Sequence, residues 1–129
     1  MATTILVNEM IKAGEELVKA LDSRGVDVPS AFWFYDPEAE EWRLILGMPL
    51  VDEQGTAKAY EVIRAALAAA GPPSLFLRQI SAVSPNNELV VLVRESRPTE
   101  PGIHHIRVGR STIGTVPIED LFIYRSCST

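Results

Sequence analysis

AFWFYDPEAEEWRLILGM, residues 31–48, decides between a helical and a sheet-based fold. Its first five residues, Ala31 to Tyr35, are too few for a helix and dense in aromatics that suit a pleated surface. The run is apolar on both faces, which predicts a central strand covered on two sides. Asp36 and Pro37 then stand where a type I turn begins. From Trp42 the pattern alternates: Trp42, Leu44, Leu46 and Met48 point one way, and Arg43, Ile45 and Gly47 the other. Two such strands joined by a longer loop read as an antiparallel hairpin. A one-residue slip would put all four large apolar side chains in water, so the sides are fixed. Leu44 and Leu46 are expected beneath the first helix, with Arg43 on the far face.

Working outward, Ile5, Leu6, Met10, Ile11, Leu17, Val18 and Leu21 recur close to a helical period and predict a helix over residues 5–23. Gly25 suits the position after its end, and Pro29 blocks continuation. On the other side of the hairpin, Asp52–Gly55 is turn-like and Thr56 is a candidate cap. Tyr60, Ile63 and Leu67 form the inward stripe of a second helix, stopped by Gly71-Pro72-Pro73. Leu75–Val83 is expected as a strand. Residues 85–96 admit two readings: Leu89–Val93 suits a strand, whereas Ser84 as N-cap with Pro85 as first helical residue suits a helix. Two coincident start signals decide for the helix. Strands follow at 103–108 and 118–124, joined by the glycine-bounded connection 109–114. The order α-β-β-α-β-(α)-β-β lacks the alternation of a doubly wound sheet. It predicts one two-layer α+β domain over residues 1–125, with a mostly antiparallel sheet of about five strands and helices largely on one face. Residues 126–129 are expected to be a disordered tail.

The 129 residues and 14.2 kDa suit a single domain that buries its own core. For that mass the folded surface should be roughly 6,800 Å². Hydrophobic residues at 47% against 22% charged exclude a disordered or fibrous chain. No apolar run approaches the roughly 20 residues of a membrane span. Cys127 is the single cysteine, which excludes an intrachain disulfide and a multi-cysteine zinc site. The amino terminus has no basic stretch followed by an apolar one, so a cytoplasmic protein without an export signal is expected. The net charge of −5 lies in the first two-thirds: residues 1–84 hold 7 basic and 12 acidic residues, and residues 85–129 hold 5 of each. An acidic surface repels phosphate backbones, which disfavours nucleic acid as a partner.

The chemistry-bearing residues form no established motif. His104 and His105 are neighbours on a strand and point to opposite faces, so they cannot chelate one ion. Gly109 to Thr115 has P-loop glycine spacing but no lysine, and it leads into a strand. No cofactor or metal is implied. The acidic stretch Asp36, Glu38, Glu40 and Glu41 reads as a solvated hairpin tip. One constellation stands out: His105 and Arg107 share a strand face, with Glu119 or Asp120 expected across the ladder, and Arg110, Ser111 and Thr112 follow at once. Forked arginine donors, hydroxyls and an imidazole suit a phosphate or carboxylate. Trp33, Trp42 and Arg43 are interface candidates, because such residues dominate binding hot spots, although large aromatics also fill cores. The favoured reading is a non-enzymatic interaction module or accessory subunit that self-associates, as a homodimer, or binds another protein. The alternative is a small enzyme or binder acting on a phosphorylated or other anionic ligand through the His/Arg face.

Overall fold

The computed structural model describes residue 6 and residues 8–70, 75–114 and 116–127. The elements are α1 (Asn8–Ser23), β1 (Ser30–Asp36), β2 (Glu41–Gly47), α2 (Pro49–Gln54), α3 (Thr56–Ala70), β3 (Ile80–Val83), α4 (Glu88–Ser96), β4 (Ile106–Val108), β5 (Ser111–Ile113), β6 (Val116–Ile118) and β7 (Leu121–Ser126). Five strands form one sheet in the order β3-β2-β1-β7-β4, and β5 and β6 form a separate two-stranded ribbon. The fold is α+β. β1 is the middle strand, as its two apolar faces require. It pairs antiparallel with β2 from Ser30↔Gly47 to Asp36↔Glu41, so the hairpin and its register hold.

One face of the sheet carries α1 and α3, with α2 beside α3. Leu17, Val18 and Leu21 of α1 and Ile63 of α3 are fully buried there against Trp33, Leu44, Leu46 and Met48. Tyr60 and Leu67 flank Ile63 as half-buried side chains. Ile45 takes the other face, where Phe32, Leu121 and Ile123 meet Val90 and Val93 of α4 and the β5–β6 ribbon. Gly25 closes α1 with φ 75°, a conformation glycine adopts without penalty. Ile5 lies outside the described residues.

Several boundaries differ from the sequence reading. The expected turn at 52–55 belongs mostly to α2, with only Gly55, at φ 90°, breaking the chain before α3. The third strand is shorter than 75–83: a 3-10 turn at Leu77–Gln79 precedes β3, which runs parallel to β2 and makes the sheet mixed. Asn87 caps α4 in place of Ser84, its side chain accepting from the Leu89 and Val90 amides at 2.9 and 3.3 Å. The connection 109–114 is itself part of the β5–β6 ribbon, and the expected strand 118–124 divides into β6 and β7. The tail expected from residue 126 starts later. Ser126 ends β7 and accepts from the Thr99 amide at 2.8 Å, while the Cys127 amide donates to Pro29 at 3.0 Å.

Candidate functional site

β4 pairs with β7, setting Arg107 opposite Phe122 and turning Arg107 and His105 toward the face that carries α1. Arg107 makes the forked contact that carboxylates favour: its Nε and Nη2 donate to the two oxygens of Asp120 at 2.8 and 2.7 Å. Its guanidinium also lies 5.7 Å from the centre of the buried Trp42 ring. His105 does not meet Glu119 or Asp120. Its Nε2 lies 2.7 Å from Oε1 of Glu15 on α1, with Lys19 3.2 Å from the other Glu15 oxygen. The His105 ring rests 5.8 Å from Phe122. Arg110 reaches Glu119 at 3.3 Å and is otherwise in water.

These contacts fix the electrostatics. The Arg107 hydrogen bonds hold the Asp120 carboxyl below its ordinary range, against the opposing effect of partial burial, and Asp120 in turn raises the Arg107 guanidinium. The His105 hydrogen bond lowers Glu15. Carboxylates held ionised are poor proton donors. Ser111 turns inward with an enclosed hydroxyl that has no hydrogen-bond partner among the described residues, whereas Thr112 faces water. The five candidates therefore spread along a strip instead of converging on one point. Among the described residues no group of three His, Cys, Asp or Glu could hold a metal ion.

The interface candidates need correction. Trp33 is fully buried and Trp42 nearly so, so both rings belong to the core and not to an exposed anchor. Trp42 meets Tyr35 edge-on at 5.5 Å. Arg43, on the opposite face from Leu44, donates to the Ser81 hydroxyl at 3.0 Å. Trp33 belongs to a buried polar chain absent from the sequence reading. Its Nε1 donates to the Tyr124 hydroxyl at 3.0 Å, and that hydroxyl donates to the Ile11 carbonyl. A Cβ at Gly14 would collide with the Tyr124 hydroxyl and sit 2.9 Å from the Trp33 nitrogen. A glycine in mid-helix, disfavoured by roughly 1 kcal/mol relative to alanine, was the available signal. Arg125 was also missed: more than nine-tenths buried, it grips Asp22 at 3.1 and 2.8 Å and the carbonyls of Gly102 and Val28 at 2.7 and 3.0 Å. An arginine directly after the apolar run Leu121–Tyr124 was its signal.

No family model, curated protein or solved structure matches the chain.

Proposed function

We propose that this chain is a small cytoplasmic interaction module or accessory subunit, non-enzymatic and self-associating. The observation that supports it most is the neutralised His/Arg face: each of His105, Arg107 and Arg110 is already held by a carboxylate of its own chain. An anion would have to displace Glu15, Asp120 or Glu119, so the fold uses these side chains to tie β4 to α1 and to the start of β7. Among the described residues no helix is long and apolar enough to cross a membrane.

The two sheet edges differ in their readiness to pair. At β3 the Tyr60 hydroxyl accepts from the Ala82 amide at 3.1 Å and donates to the Ile80 carbonyl at 3.4 Å, which occupies the outward backbone groups. At β4 the Tyr35 amide donates to Asp120, and alternation along the ladder then turns the Arg107 backbone groups away from β7. Self-association through an edge has β4 for it. Light scattering from nanomolar to hundreds of micromolar tests the reading. The expected weight-average mass rises above the 14.2 kDa of one chain; a mass that stays at one chain throughout contradicts it.

A further inference from the structure

Two cavities, of about 310 and 330 Å³, flank the loop that joins α1 to β1, and Asp27 lines both. The first has apolar walls from Val26, Pro49, Leu50 and Val62, with Glu53 and Lys58 also in its lining. The second has Val28, Pro29 and Pro101 as apolar walls, with Asp22, Arg125 and Cys127. We propose that this double groove is a docking surface for a basic segment of a partner protein, a lysine or arginine flanked by apolar side chains.

The inference rests on the interaction-module reading and deepens it by naming the partner chemistry. Charge selects the occupant. The two cations of the groove are committed: Arg125 to Asp22 at 2.8 Å, and Lys58 to Glu61 at 3.1 Å. Asp27 and Glu53 carry no ion pair among the described residues, although Asp27 feels the Arg125 guanidinium at longer range, so the groove's ionisable lining, three carboxylates against two cations, is net acidic beside apolar walls. Arg24, the nearest cation in sequence, lines neither cavity. A second copy of the chain fits badly, because the acidic surplus lies in residues 1–84, the part that builds most of this groove. Phosphate-rich polymers are repelled by the same carboxylates. A basic side chain at Asp27 with an apolar neighbour in each cavity satisfies both the charge and the walls.

The test uses an acetylated, amidated peptide alternating lysine and leucine, titrated into the isotope-labelled protein and followed by amide shifts. Cys127, the single cysteine, gives a second readout, since occupation of its cavity slows alkylation by a maleimide. The expected result is shifts confined to residues 22–29, 49–62 and 101–102, slowed alkylation, and about tenfold weaker binding in D27N/E53Q, which removes both carboxylates, equal to about 1.4 kcal/mol. The control variant E38Q/E40Q, at the hairpin tip, should bind as wild type. No binding, shifts centred elsewhere, or equal weakening by the control overturns the groove. If the peptide fails while the protein still associates in light scattering, the groove alone is wrong. If both fail, the interaction reading falls with it.

Discussion

Gly14 is the residue on which the seating of α1 depends. Its missing side chain lets the Tyr124 hydroxyl reach the Ile11 carbonyl and accept from Trp33. Gly14→Ala gains helix propensity yet forces these groups apart, so it should destabilise by about 1–3 kcal/mol in urea denaturation, the usual scale for overpacking. Tyr124→Phe keeps the shape but leaves the buried Trp33 N–H unpaired, a loss of about 1–3 kcal/mol on the same assay. Burial raises the Tyr124 hydroxyl pKa, which keeps it protonated as a donor. Asp120 supplies a pH test. Its folded pKa is depressed by Arg107, so its contribution is present above the unfolded value and lost as pH falls through the folded one. The Tm gap between wild type and Arg107→Ala should be open at neutral pH and close below about pH 4, near the ordinary aspartate value. Arg110→Ala should shift stability by less than about 0.5 kcal/mol, because its contact to Glu119 lies in water. The Arg107–Asp120 pairing was half legible, since strand alternation names Asp120 as one of two carboxylates in reach. The His105–Glu15 contact was not, because nothing local joins residues 90 positions apart.

The elements follow sequence patterning where a pattern runs long enough to outvote its neighbours. The seven-residue alternation of β2 and the apolar run of β1 settle the hairpin and place Leu44 and Leu46 under α1. The shortest elements escaped. β5 and β6 have three residues each, too few for a period to show, and they pair only with each other, whereas β4 is the last half of the strand expected at 103–108. The parallel pairing of β3 was implicit in the order strand, helix, strand: α2 and α3 form a crossover, and a crossover returns the chain parallel. The turn signals at 52–55 mask α2, where Pro49 at the first helical position starts a helix that Gly55 ends. Tyr60 shows how an element edge is closed by a single hydroxyl. Tyr60→Phe should lose about 1 kcal/mol and leave the Ala82 amide and Ile80 carbonyl free to pair with another chain. Turbidity on heating should therefore appear at a lower temperature than in wild type.

Over the whole molecule, an accessible surface of 6842 Å² agrees with the roughly 6,800 Å² expected for one ordinary domain of this mass. The sheet is covered on both faces, and its cations near β4 are matched by carboxylates of the same chain. Charge left over is acidic, and part of it, Asp27 and Glu53, lies where α2 and α3 meet the loop before β1. The surplus was legible as a count along the sequence, whereas the groove needed the fold to bring Asp27 and Glu53 together. The function proposed above has such a molecule act by contact, through the β4 edge for its own kind and through the acidic groove for a basic partner. Native mass spectrometry of the protein purified gently from its own cells tests this most directly. The predicted spectrum is dominated by species heavier than 14.2 kDa, containing two copies of the chain or the chain with another protein. A spectrum holding only the single chain, at every concentration sprayed, would contradict it.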